Sequence, residues 1–406
     1  MNSSVRPCHV PIERNAAMRQ LRRGLCALLV TGAAAVSSGC QETTTAPVPP
    51  PAGRAALQQA LADIVRAGAV GVQLRVHDDA GDWTASTGVS ELGKSEPPST
   101  DGRFRIGSIT KTFVSTVILQ LVAEGRVGLD DPVDDYLPAY NIDRRITVRM
   151  LLQHTSGLFD YTGDHDADGG FEAGIPLHGA EFVDARMRGY TLDELARTAL
   201  SEPARFAPGE RWQYSNTNYV LAGLLVEKLS GTTYATQIRT RLLEPLGMSD
   251  TSLPGAEPEI AGPHAHGYLE YQRDGRTELA DITELNPSWA GPAGEIISTT
   301  ADLDKFLSAL LGGRLLPPQL LEVMRTPFPV PDRPGGFGLG LVDRRVGPDC
   351  DLFGHSGGIH GYLSQLYGSK DGTRRVAMSI TLNQDPDSQA DAFVPGAMSI
   401  LSTLCR

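Results

Sequence analysis

Phe104-Arg105-Ile106-Gly107-Ser108-Ile109-Thr110-Lys111-Thr112-Phe113 is the stretch whose reading decides the fold. After Gly107, the apolar residues Ile109, Phe113, Val117, Ile118, Leu121 and Val122 recur at helical spacing and stop near Gly125. Ser108 and Lys111 stand one turn apart, so both side chains occupy one face of that helix. Ser108 falls in the first turn, where backbone N–H groups are free to hold an anion and the helix dipole favours negative charge. A neutral serine is a poor nucleophile until a neighbour takes its proton. A lysine can take it when burial weakens its hold on its own proton. Surface helices generate this spacing by chance, but the chain has five Lys against 31 Arg. A basic position here is normally Arg, which cannot deprotonate, so a Lys at this spot carries information.

Outward from the helix, Ala55–Ala67 has helical periodicity, and Val70–Val76 and Trp83–Gly88 read as a strand pair about the Asp78-to-Asp82 turn. Residues 140–300 lack long strand signals and carry helical patterns such as Leu192–Leu200 and Tyr219–Leu229. Ser298-Thr299-Thr300-Ala301-Asp302-Leu303 is a capping run that opens a helix over Leu303–Leu311. Strand patterns return at Gly336–Val342, Tyr362–Tyr367 and Arg375–Asn383, and a helical segment closes the chain around Ala397–Leu404. An α/β layer is thus interrupted by a mainly helical insertion. No internal repeat is present.

Two further motifs bear chemistry. Trp212-Gln213-Tyr214-Ser215-Asn216 follows Pro208-Gly209-Glu210. A Tyr214 with a lowered pKa can act as general base on Ser108 and then as general acid to the leaving group. The Asn216 amide can donate to a substrate carbonyl. His355-Ser356-Gly357-Gly358 follows a strand end, and its glycines let the backbone approach a ligand. One N–H there, with that of Ser108, would form an oxyanion hole. Each motif alone is more simply a turn with a packing aromatic, or a β-turn with a half-buried His.

Together, in this order, the three motifs resemble the penicillin-recognising serine hydrolases: Ser-x-x-Lys, then Tyr-x-Asn, then Lys/His-x-Gly. The His form of the third resembles the D-alanyl-D-alanine carboxypeptidase branch typified by the soluble Streptomyces enzyme. Class C β-lactamases are similar and usually carry Lys there. FRIGSITKTF, LLQHTSGL, PGERWQYSNTNYVLAG, AGEIISTTADL, GFGLGL and GHSGGIHGY all read like family segments, so the resemblance spans roughly residues 55–406. It implies an α+β fold, β-lactamase/transpeptidase-like: an antiparallel sheet flanked by helices (about 54–110 and 295–406) beside a mainly helical second domain (about 111–294). It implies Ser108 as acylated nucleophile, Lys111 as its hydrogen-bonded partner and Tyr214 as proton shuttle. His355 would bond and tune Tyr214, Asn216 would orient the substrate amide, and Gly358 would supply the second oxyanion N–H. Ser356 keeps the hydroxyl of the Thr common in that branch. Arg344, with Arg345 as the alternative, lies near the offset of a carboxylate-binding Arg, although the spacing from Cys350 to His355 departs from the pattern. The expected activity is that of a D-alanyl-D-alanine carboxypeptidase acting on cell-wall peptide. A β-lactamase, an esterase and a non-catalytic penicillin-binding receptor are the alternatives. No cofactor or metal is expected, and a monomer is.

Composition is that of an ordinary globular protein: 41% hydrophobic and 21% charged residues. The net charge of −12 makes nucleic acid an unsuitable partner. Arg19, Arg22 and Arg23 precede an apolar run, Leu25 to Val36, too short for a stable membrane span, and Met18 offers a second start. Residues 1–39 therefore read as a signal peptide and 40–53 as a Pro-rich tether. Ser37-Ser38-Gly39-Cys40 approximates a lipobox with Cys40 as the acylated residue, and cleavage after the Ala33–Ala35 run would instead release the protein. The expected location is outside the cytoplasm, lipid-anchored or secreted. Outside the cytoplasm, the remaining pair Cys350 and Cys405 is expected to form a disulfide, the alternative being two buried thiols. Asp164-x-Asp166-x-Asp168-Gly169 mimics the start of a calcium loop, but Ile175 stands where the closing Glu belongs. Asp160–Gly174 reads as a mobile loop, Gly336-x-Gly338-x-Gly340 as a site of close packing, and His154 as structural.

Overall fold

Alternating burial builds the sheet. In β1 (Gly71–Asp78), Val72, Leu74 and Val76 are buried in one core, while Gln73 between them turns the other way and bonds the Gly102 carbonyl. The strand partners β2 (Gly81–Gly88) across a tight turn. The structure is a computed structural model and describes residues 52–165, 170–330, 335–384 and 386–405. The other strands of the main sheet are β3 (Phe328–Pro329), β4 (Gly335–Phe337), β5 (Val342–Gly347), β6 (Cys350–Ile359), β7 (Tyr362–Gly368) and β8 (Arg375–Thr381). Their order is β2-β1-β8-β7-β6-β5-β4-β3, antiparallel throughout. The first strand lies beside the last, with Gly71 opposite Thr381.

Both faces of the sheet are covered, and β8 is buried along its whole length. On one face, α1 (Ala52–Arg66) and the C-terminal helix α5 (Pro386–Leu401) pack Leu57, Leu61, Ile64, Ile400 and Leu401 against Val376, Met378 and Ile380. On the other lie α2 (Thr110–Ala123), α3 (Thr217–Ser230) and α4 (Thr300–Leu311) in a second, larger core. There Phe113 of α2 stacks on Phe306 of α4 with ring centroids 3.7 Å apart. The N-terminus of α4 is set by Thr299, whose side chain accepts from the Asp302 N–H. Cys350 of β6 is joined to Cys405 by a disulfide, Cα to Cα 5.6 Å.

Three segments differ from the sequence reading. Gly336–Val342 is two strands with a turn between: the Gly338 N–H donates to the Leu341 carbonyl at 2.7 Å, and the Gly340 N–H to that of Leu152. The glycines permit this close packing, since a Cβ on Gly338 would lie 2.0 Å from the Met324 oxygen and one on Gly340 2.1 Å from Ser115 Oγ. The helical region also holds a hairpin, Tyr268–Arg273 with Arg276–Asp281. Its turn, Asp274-Gly275, has positive φ at both residues, the Asp-Gly signature of a tight hairpin that was present in the sequence. Finally, α5 begins well before Ala397; Pro395 inside the helix breaks the pattern and hides its first turns. Residues 1–39, Cys40 and the tether up to residue 51 lie outside the described residues, as do Asp166, Asp168 and Gly169. No described helix is long and apolar enough to cross a membrane.

Candidate active site

A single 3₁₀ turn, Gly107–Ile109, leads into α2 and carries Ser108 at the edge of a cleft of about 540 Å³. Lys111, one turn on, is wholly buried. Its Nζ lies 2.9 Å from Ser108 Oγ, 2.8 Å from Asn216 Oδ1 and 2.7 Å from the Ala293 carbonyl oxygen. Burial lowers the lysine pKa to about 7, with the nearby Asp160 charge opposing the shift. The third motif meets this turn backbone to backbone. Gly107 has φ 50°, and a Cβ there would sit 2.7 Å from the Gly358 oxygen and 2.9 Å from its nitrogen. A Cβ on Gly357 would fall 2.0 Å from the Ile106 oxygen, which accepts from Ser364 Oγ. Glycine at both places is what lets β6 touch the Ser108 turn.

Tyr214 and Asn216 reach the same point from the loop before α3. Tyr214 lines the cleft beside Ser108, close enough for the Ser108 hydroxyl to lower the phenol's pKa. The expectation of a lowered tyrosine pKa is corrected: burial pushes Tyr214 far above the usual phenol range, and the Ser108 bond offsets only part of this. Tyr214 is therefore a neutral phenol, suited to giving and relaying a proton rather than to pulling one. Asn216 also differs from expectation. Its Nδ2 already donates to Asp160 Oδ2 at 3.0 Å and to Thr162 Oγ1 at 3.3 Å, while its Oδ1 accepts from Lys111.

The segment His154–Tyr161 holds this loop in place. The His154 carbonyl accepts from the Gln213 N–H, and its Nδ1 from the Ser215 N–H at 3.2 Å. Ser156 Oγ donates to Asn218 Oδ1 at 2.6 Å, and Thr217 Oγ1 to the Phe159 carbonyl at 2.7 Å. The His154 ring stacks on Tyr214 with centroids 4.2 Å apart. Burial, then the neighbouring Lys111 and His355, drive its pKa well down, so it stays neutral with the proton on Nε2. His154 is structural, as expected, but what it supports is the tyrosine. Sequence reading gave Asp160 no role and placed it in a mobile loop; it is 5% exposed and bonded four times. An Asp six residues after a His was the available signal, and its meaning depends on a partner loop more than fifty residues away.

Ser108, Tyr214, Asn216, His355, Ser356 and Gly358 all line the cleft. His355 Nδ1 bonds the Ser356 carbonyl, and the ring stands edge-on to Phe337. Aromatic walls complete it: Tyr161, Phe171, Trp212, Trp289 and Phe337. Arg344 does not reach the cleft. In register it lies opposite Leu352, a core residue on the α1/α5 side of the sheet, and its guanidinium sits over the Tyr367 ring and 3.7 Å from Met398 Sδ. Arg345 is exposed and paired with Asp351. Among the described residues no arginine lines the cleft. His77, Asp82 and Asp304 bring ligand atoms within 4.8 Å of one another at a distant sheet edge, but Asp304 is already held by Arg375 at 2.7 and 2.9 Å.

Residues 54–398 match the Beta-lactamase family. The chain belongs to that family. Its fold is the α+β, β-lactamase/transpeptidase-like one, and it is a serine hydrolase of the Beta-lactamase family. The D-stereospecific amidohydrolase from Streptomyces sp. is 38% identical in a superposition covering 84% of this chain and 97% of that one, with a TM-score of 0.74. Penicillin-binding protein 4* of Bacillus subtilis (strain 168) is 30% identical over 325 residues, 78% of this chain and 68% of the relative. Esterase EstB of Burkholderia gladioli is 34% identical over 230 residues, 54% of this chain and 56% of the esterase.

Proposed function

We propose that this serine hydrolase cleaves amide bonds by acyl transfer through a Ser108 ester, and that its acyl donor is a D-configured residue, as in the D-alanyl-D-alanine end of cell-wall peptide with its terminal carboxylate neutralised as an amide. The carrying observation is the contact of Lys111 Nζ with Ser108 Oγ at 2.9 Å inside a buried site. Ser108 Oγ attacks the carbonyl carbon while Lys111 takes its proton. The N–H groups of Ser108 and Gly358 stabilise the oxyanion. The C–N bond breaks as the Tyr214 phenol protonates the leaving nitrogen, and the proton taken up by Lys111 then passes to the resulting phenolate, whose ring lies 4.9 Å from Nζ, before water enters. Water repeats the sequence on the ester and releases the acid.

The D-configured substrate draws support from the similarity to the D-stereospecific amidohydrolase, which extends over nearly all of that enzyme. The displaced Arg344 bears on the leaving group. With no guanidinium from the described residues at the cleft, a substrate ending in a neutral amide suits the site better than one ending in a free carboxylate. An oxidising location outside the cytoplasm fits the Cys350–Cys405 disulfide. Turnover of a D-Ala-D-Ala tripeptide, its C-terminal amide, the L-configured amide, nitrocefin and a p-nitrophenyl ester tests the reading. The D-amide is expected to be the best amide substrate and the L-amide to be inert. Ester cleavage without turnover of any D-configured amide would overturn it in favour of an esterase, the reading favoured by the match to EstB.

A further inference from the structure

A neutral lysine amine has two N–H donors and one lone pair. Around Lys111 stand three partners: the Ala293 carbonyl, Asn216 Oδ1 and Ser108 Oγ. The carbonyl can only accept. If Asn216 also accepts, both N–H groups are used and the lone pair must face the Ser108 hydroxyl. If the Asn216 amide were turned over, its NH₂ would point at Lys111 and capture that lone pair, and the base would be quenched. The orientation of one amide therefore decides whether Lys111 is a base toward Ser108.

Asp160 decides the orientation. Its Oδ2 accepts from both the backbone N–H of Asn216 at 2.8 Å and the side-chain Nδ2 at 3.0 Å. Its Oδ1 accepts from the N–H and the hydroxyl of Thr162 at 3.0 and 2.9 Å. All four bonds are accepted by the carboxyl, the arrangement of an ionised carboxylate, and they offset part of the burial that pushes its pKa up. A turned amide would set an oxygen against that carboxylate in a dry site, two acceptors with no proton between them. We propose that Asp160 is a positioning residue of the hydrolase: through the Asn216 amide it aims the Lys111 lone pair at the nucleophile. This rests on the Ser108–Lys111 reading above.

The same carboxylate favours the protonated form of Lys111, so its removal has a second, signed consequence. The other titratable groups facing Lys111 are His154, whose positive form would oppose it and which is itself faced by His355, and the phenols Tyr214 and Tyr219, whose rings lie 4.9 and 5.6 Å from Nζ. Asp160 itself is faced by Lys111, Tyr161 and Tyr214, and its N–H lies 3.4 Å from Asp164 Oδ2.

The test compares wild type with Asp160→Asn by the pH dependence of kcat/KM on a p-nitrophenyl ester, with Ser108 acylation followed by mass. In Asp160→Asn, kcat is expected to fall by about tenfold or more, and the acid limb to move to lower pH because Lys111 loses its proton more readily. Thr162→Val, which deletes one side-chain donor to Asp160 and leaves the carboxylate, guards against a folding defect. It is expected to move the limb the same way by a smaller amount. A limb that stays in place in both variants, with any loss of rate following the folded fraction, overturns the proposal. Absence of a Ser108 ester in the wild-type protein would instead overturn the parent reading.

Discussion

In the proposed reaction Lys111 is the base at the scale of single residues, because burial and hydrogen bonding act on it in opposite directions. Burial makes the ammonium expensive, and three acceptor-capable neighbours keep it in place. With a pKa lowered to about 7, half of the amine is free near neutrality, and the free fraction falls tenfold for each pH unit below. The plot of kcat/KM against pH is thus expected to rise to a plateau through an acid limb near pH 7; a limb in the ordinary carboxylate range would assign the base elsewhere. Lys111→Arg keeps the charge but cannot give up its proton, so kcat/KM is expected to drop by about a hundredfold or more, with KM changing less. An arginine variant retaining full rate would show that the positive charge, not the lone pair, serves Ser108. At this scale the sequence was informative where chemistry forced a rare choice, a lysine in an arginine-rich chain. It misled on Tyr214, because a pKa depends on burial that no local pattern records. It was silent on Asp160, whose four bonds come from two separate loops.

Between elements, the decisive contact is where β6 meets the turn ahead of α2. The β6 glycines were read as an approach to a ligand, but Gly107 also admits the backbone of Gly358, and Gly357 that of Ile106. Gly357→Ala would place a methyl 2.0 Å from the Ile106 oxygen, so the strand must retreat or the turn must shift. The expected cost is about 1–3 kcal/mol of stability, read as a lower midpoint in urea unfolding. Because the proposed oxyanion donors, the N–H groups of Ser108 and Gly358, sit on opposite sides of this seam, acylation is expected to slow by about tenfold or more even at temperatures where the variant is fully folded. Normal acylation in a destabilised Gly357→Ala would mean that the seam serves packing alone. Helices with clean periodicity were legible almost to the residue, as Leu192–Leu200 shows. The divided Gly336–Val342 segment was not, because a turn inside an apolar run erases the period that identifies a strand, and the Tyr268–Asp281 hairpin was missed although its Asp274-Gly275 turn signal stood between two largely polar strands.

Across the whole molecule, the main sheet is closed by chain segments from opposite ends, with Thr381 Oγ1 donating to the Gly71 carbonyl across 310 residues of sequence. The α1 and α5 helices cover this junction from one side, and α4 covers it from the other. The disulfide belongs to the α1/α5 side: Cys405 follows α5, and Cys350 opens β6, the strand that ends in His355, Ser356 and Gly358. Closing a loop of 55 residues reduces the entropy of the unfolded chain, and removing the link is expected to cost about 2–4 kcal/mol. Cys405→Ser should therefore lower Tm clearly while leaving kcat/KM near wild type, because His355 lies five residues along a strand paired on both sides. Reduction of the wild-type protein should reproduce the variant's midpoint, and reductant should not move the midpoint of the variant. A large loss of kcat/KM at temperatures where Cys405→Ser is fully folded would show instead that strain at the start of β6 travels to the oxyanion seam, and that the disulfide positions the site as well as stabilising the fold.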